Sequence, residues 1–101
     1  MPTPPTDLLT PGAVPTLWRL AWLDHDAVRG RPVLLYPEGV VFLNETGLAI
    51  LELCDGQRTL ARITEALSGR YGANEVEAAY VAADVAEFLG DLVSRELVDV
   101  R

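Results

Sequence analysis

The chain has 101 residues, enough for one small domain, and half of them are hydrophobic, which supplies a modest core. Its formal net charge is −7 and all eight basic residues are arginine. Such a balance repels a phosphate backbone and argues against nucleic acid as a partner, while suiting a cationic peptide or protein surface. No apolar run approaches the roughly 20 residues that cross a bilayer. No basic region followed by an apolar stretch opens the chain, so neither a membrane partner nor a secretory signal is expected. The lone Cys54 has no partner for an internal disulfide, which fits a reducing, cytoplasmic setting.

Residues 1–15 hold Pro2, Pro4, Pro5, Pro11 and Pro15 among threonines. Proline removes amide donors and fixes φ, so this stretch is expected to be a disordered Pro/Thr-rich tail, with the domain covering 16–101. Leu17 to Asp24 reads as a first strand, with Trp18, Leu20 and Trp22 alternating along it. Asp24 to Arg31 is a polar turn containing Gly30. Pro32 to Tyr36 is a second, fully apolar strand, and Pro37-Glu38-Gly39 a tight turn. Val40 to Leu43 is the third strand, giving an antiparallel meander.

The stretch Val40 to Gly56 organises the rest, because the third strand enters a helix with no linker. Asn44 suits an N-cap, Glu45 complements the helix dipole, and Asp55-Gly56 marks the end. Thr59 caps a second helix that runs to about Arg70, with Tyr71-Gly72 as its stop. Asn74 and Glu77 form a capping-box-like pair for a third helix reaching Arg95 or Glu96. Val81, Val85, Phe88 and Leu92 form its apolar stripe, with Asp84, Glu87, Asp91 and Ser94 on the other side. Leu97 to Val100 carries no assignment. The expected class is α+β: a small winged helix-turn-helix-like domain, with a three-stranded antiparallel sheet followed by three helices.

Catalytic chemistry finds little support. His25 is the sole histidine, and an isolated imidazole in a turn is ordinarily plain surface. Cys54 follows the first helix beside Asp55, a setting for a structural rather than a reactive thiol. Glycine-rich phosphate loops and paired cysteines are missing from the sequence. No catalytic residue, metal site or cofactor is expected, and the chain is read as a non-enzyme. What remains is a surface. A three-stranded meander leaves an open edge, and Val40 to Leu43 has none of the lysines, prolines or inward charges that blunt edges. If that edge is open, an extended peptide can add there as a further strand, with the long third helix as the opposite wall; the alternative is that the third strand is central or covered and the helix stripe is simply core.

The run from Asp26 to Glu38 (DAVRGRPVLLYPE), Leu43-Asn44-Glu45-Thr46, Ile50 to Gly56, Arg58-Thr59 and the later Asp84-Val85-x-x-Phe88-Leu89-x-x-Leu92 pattern together resemble the PqqD family. The resemblance covers about Thr16 to Val100. It implies a winged-helix-like fold and a non-catalytic peptide chaperone of pyrroloquinoline quinone biosynthesis. Such a chaperone binds the precursor peptide PqqA and presents it to the radical SAM enzyme PqqE, which crosslinks a Glu and a Tyr of the peptide. In related recognition domains the leader adds beside the third strand and against the third helix. Carried onto this chain, the peptide-binding residues are Val40, Val41, Phe42 and Leu43 on one wall and Val81, Asp84, Val85 and Phe88 on the other. Gly47 stands where the family often has Ala, at a cost to the helix of about 0.5–1 kcal/mol. Alternatives are recognition of a precursor from another ribosomal-peptide pathway and a winged-helix DNA-binding regulator. The second is disfavoured because the second helix offers only Arg62 and Arg70 beside Glu65. An unprotected edge can also pair with itself, so the chain is expected as a monomer or homodimer.

Overall fold

A computed structural model describes residues 9–70 and 74–101. Its elements run in the order β1 (Pro15–Leu17), β2 (Trp22–Asp26), β3 (Arg31–Tyr36), β4 (Gly39–Phe42), α1 (Glu45–Glu52), α2 (Leu60–Arg70), α3 (Glu75–Ser94) and β5 (Val98–Val100). The α+β class holds, with three helices and a three-stranded antiparallel sheet ordered β2-β3-β4. A second, two-stranded ribbon joins β1 to β5.

The strand expected over Leu17 to Asp24 is two strands belonging to different sheets. The chain turns at Arg19-Leu20, where the Ala21 N–H donates to the Trp18 carbonyl at 2.9 Å. Upstream of the turn, Leu17 lies opposite Val98. Downstream, Trp22 lies opposite Leu35. Alternation read across a turn has no common face, so Trp18 packs partly against the core while Leu20 and Trp22 stay exposed.

The β2–β3 turn is held by Asp26. Its Oδ1 accepts from the Val28 and Arg29 amides at 2.9 and 3.2 Å, and its Oδ2 pairs with Arg29 at 3.0 Å. Gly30 follows at φ 65°, a left-handed conformation glycine takes without a Cβ penalty. The Arg29 guanidinium beside Asp26 holds that carboxyl below its ordinary range.

Both asparagine caps form as expected. Asn44 Oδ1 accepts the Gly47 amide at 2.7 Å, and Asn74 Oδ1 accepts the Glu77 amide at 2.9 Å. Thr59 Oγ1 accepts the Arg62 amide at 3.2 Å. The expected helix stop at Tyr71-Gly72 lies outside the described residues, as do residues 1–8 of the expected tail.

Residues 9–15 are built into the domain. Leu9 and Ala13 are buried. The carbonyl of Ala13 accepts the Leu60 amide at 2.7 Å, and that of Pro11 accepts the Ala61 amide at 3.0 Å. Prolines lack donors but keep acceptors, and a helix N-terminus offers unpaired donors. A proline-rich segment therefore caps α2 well, and its last proline, Pro15, opens β1, the strand position where a missing amide costs least.

One core unites the layers. Leu34 from β3, Ile50 from α1, Ile63 and Leu67 from α2, and Val85, Leu89 and Leu92 from α3 are all at most 2% exposed. The three-stranded sheet turns its Leu23, Leu34 and Val41 face to this core; on the other face Val33 is also buried, while Trp22, Val40 and Phe42 stay exposed.

Candidate functional site

Among the described residues strand β4 pairs on one side only. Val33 faces Phe42, Leu34 faces Val41, Leu35 faces Val40 and Tyr36 faces Gly39. The Leu43 amide donates to the Pro32 carbonyl at 2.9 Å, which sets the phase of the ladder. Antiparallel pairs alternate between bonded and non-bonded. Val41 and Gly39 therefore spend their backbone groups on β3, while the N–H and C=O of Val40 and Phe42 point away from it. Among the described residues no strand takes up that side of β4, and the C-terminal β5 is engaged by β1 instead. The opposite edge, β2, reads Trp-Leu-Asp-His-Asp, and its charges blunt it. Gly-Val-Val-Phe has no such guard.

The side chains of β4 divide between two faces. Val41 packs against the core and Leu43 lies within it. Val40 and Phe42 point outward and remain 43% and 41% exposed, on the same open face as Trp22. Two arginines from the neighbouring hairpin gather on Phe42. The Arg29 guanidinium carbon lies 5.1 Å from the ring centroid and that of Arg31 5.5 Å. Arg31 also reaches the Leu43 carbonyl at 3.5 Å.

Helix α3 comes close to the junction of β4 and α1. At 3.6 residues per turn, Val81, Asp84 and Phe88 fall on one flank of the buried Val85-Leu89-Leu92 stripe. Ala82 and Ala86 fall on the other, where they line a cleft with Leu9, Pro11 and α2. The Phe88 flank meets the start of α1, because a Cβ on Gly47 would stand 3.2 Å from Phe88 Cζ and 3.3 Å from Asn44 Oδ1. Glycine at 47 thus lets the Phe88 ring sit close to the point where β4 becomes α1. Val81 and Phe88 are half-buried and Asp84 is exposed.

Six of the eight residues expected to bind peptide therefore border this edge and flank: Val40, Val41, Phe42, Val81, Asp84 and Phe88. Leu43 and Val85 are 2% and 1% exposed, so their side chains form the floor beneath and are not presented. Both come with the family resemblance, which carries over a whole strand and a helix stripe without telling the last core position from the first free one. Arg29 and Arg31 adjoin the edge and were not anticipated. The available signal was that Arg31 opens the strand paired with β4, two positions before the residue opposite Phe42.

The remaining reactive groups lie elsewhere. Cys54 is buried, and its thiol donates to the Ile50 carbonyl at 3.3 Å. Burial, with a smaller contribution from the charge of Asp55, pushes it up to about 12. It stays protonated and unreactive at neutral pH. His25 is exposed on β2. Among the described residues no three metal-ligating side chains converge, and no helix is long and apolar enough to cross a membrane.

Comparison with known proteins adds a family. The model of the family PqqD, coenzyme PQQ synthesis protein D, matches residues 32–98. A PqqA binding protein of Methylococcus capsulatus is 48% identical over 61 residues, spanning 60% of this chain and 62% of that protein. The PqqA binding protein of Kluyvera intermedia is 38% identical over 84 residues, covering 83% of this chain and 84% of its own. Among solved structures, the fold is similar to the NMR structure of the PqqD truncation of Methylobacterium extorquens PqqCD, described as a stand-alone RiPP recognition element. That likeness has a TM-score of 0.72 at 34% identity, over 85% of this chain and 88% of that one. PqqD of Xanthomonas campestris superposes with a TM-score of 0.54 at 33% identity, over 81% and 88% of the two chains.

Proposed function

This chain belongs to the PqqD family, and from that premise we propose that it is a peptide chaperone of pyrroloquinoline quinone biosynthesis that captures the precursor PqqA as an added strand on β4. The chain holds the peptide between β4 and the Val81-Asp84-Phe88 flank of α3 and presents it to the radical SAM enzyme PqqE. The relatives are named for binding PqqA, and on this reading the chemistry belongs to the enzyme that receives the peptide.

The observation that carries this reading is the outward N–H and C=O of Val40 and Phe42 on an edge without charged guards. Strand addition draws its affinity from such main-chain groups and its selectivity from the flanking side chains.

Proline substitution tests it. At Val40 the amide faces outward, so Val40→Pro removes one donor to the peptide and no bond to β3; proline is tolerated on edge strands for this reason. The same change at Val41 removes a ladder bond. Titration with the PqqA peptide of Kluyvera intermedia is expected to show binding by the wild type, with amide shifts at residues 40–43 and along α3. Val40→Pro should keep the fold and bind at least tenfold more weakly, while Val41→Pro should lower stability itself. Unchanged affinity in a folded Val40→Pro variant would remove strand capture at β4.

A further inference from the structure

Deepening the strand-capture reading and resting on it, we infer that the captured strand is selected for a carboxylate at the position facing Phe42, clasped by Arg31 with Arg29 beside it.

The geometry follows from the pleat. A residue directly opposite Phe42 on an added strand projects to the same face as Phe42, with the two Cβ atoms about 5 Å apart. That face is the outer one, away from α3. There the incoming side chain meets an aromatic ring, 41% exposed, with two guanidinium groups held 5.1 and 5.5 Å from its centroid. A guanidinium over a ring is favoured by the ring's quadrupole, and its planar donors match a carboxylate two-to-two. The long side chain of a glutamate reaches this fork from the neighbouring strand.

The two arginines differ in their existing partners. Arg29 is paired with Asp26 at 3.0 Å. Arg31 has no ion pair among the described residues, and its one polar contact is the Leu43 carbonyl at 3.5 Å. Asp24 shares the outer face but stands on β2, with β3 between it and the open edge. Arg31 is thus a cation with spare donors beside the docking edge, and Arg29 is held near it by the Asp26 turn.

The two faces of a captured strand would then meet opposite chemistry. Inward positions face Val81, Phe88 and the carboxylate of Asp84. The outward position at Phe42 faces arginine. A strand with an apolar inner face and one outward acid fits this edge, and the same strand shifted by one residue does not, because a one-residue slip exchanges the faces. The arginine pair therefore fixes register as well as preference.

The test is a pairwise cycle using the full chain and the Kluyvera intermedia PqqA peptide. Each Glu and Asp of the peptide is replaced in turn by Gln or Asn and titrated against wild type, Arg31→Gln, Arg31→Lys and, as a remote control, Arg62→Gln. Amide spectra verify that every variant is folded. The expected result is one peptide position whose neutralisation weakens binding to wild type roughly tenfold, in line with a charge-assisted hydrogen bond. The same neutralisation should have no effect on Arg31→Gln. Arg31→Lys should recover part of the loss, since it keeps charge but not the planar fork, and Arg62→Gln should bind as wild type. Tight binding that no carboxylate replacement alters, or that Arg31→Gln leaves unchanged, overturns the arginine assignment while leaving strand capture standing. Failure of the unmodified peptide to bind wild type overturns both.

Discussion

Glu96 is the residue whose chemistry suits its backbone least. It is the sole non-glycine at positive φ among the described residues, at 62°. It ends α3 in a Schellman arrangement. The Leu97 amide returns to the Leu92 carbonyl at 2.9 Å and the Glu96 amide to the Val93 carbonyl at 2.9 Å, with Leu92 and Leu97 both buried. A side chain in this left-handed position costs about 1–2 kcal/mol, part of which glycine gives back through its freer unfolded state. Glu96→Gly is expected to raise stability by about 0.5–1 kcal/mol, measured by urea denaturation, and a loss of stability would show the conformation is not strained in solution. The helix end is legible at Arg95 or Glu96, but a glutamate where a left-handed turn ordinarily takes glycine or asparagine gives no sign that the chain reverses there to bring Val98 to Val100 back as β5. Asn44 and Asn74 were legible because a cap is a local matter of one side chain and an amide three residues on.

At the scale of elements, legibility followed sequence separation. The β3–β4 hairpin and all three helices stand close to where periodicity and caps placed them. The β1–β5 ribbon joins Pro15 to Val100, and no local pattern announces a partner that distant. Residues 9–15 differ from the expected tail for a related reason: prolines discourage regular structure, yet Pro15 opens β1 and the Pro11 and Ala13 carbonyls satisfy the first amides of α2. The candidate site was legible to the level of its strand, because an unguarded apolar edge is a compositional feature. Its limits were not, since burial of Leu43 and Val85 and approach of Arg31 depend on packing. The α2 contact makes its own prediction. A chain lacking residues 1–13 loses the buried Leu9 and the acceptors that Pro11 and Ala13 offer to Ala61 and Leu60. Burial of a leucine and two hydrogen bonds together contribute about 3 kcal/mol. The truncated chain should unfold at correspondingly lower urea, with the helix 60–70 fraying first in amide exchange. Unchanged stability would show that water replaces the arm at no cost.

Over the whole molecule, charge is segregated. The net −7 is concentrated toward α3, which exposes Glu77, Asp84, Glu87 and Asp91; among the described residues Arg95 answers Asp91 at 3.3 Å. The arginines beside Phe42 form a local exception on the other side of the edge. These two features act at different ranges. The summed field of the acidic helix extends over a screening length of about 10 Å at 0.1 M salt and accelerates the approach of a cationic chain. The arginine pair acts only on contact, where screening is weaker. Salt should therefore separate them. For a peptide of net positive charge, the association rate should fall about tenfold between 0.02 and 0.5 M salt, because steering is lost. The dissociation rate should change far less, because the main-chain bonds to Val40 and Phe42 and the apolar contacts with Val81 and Phe88 carry no net charge. Stopped-flow binding at several ionic strengths resolves the two rates. An association rate indifferent to salt would remove the helix as a steering surface and leave α3 as a packing wall alone.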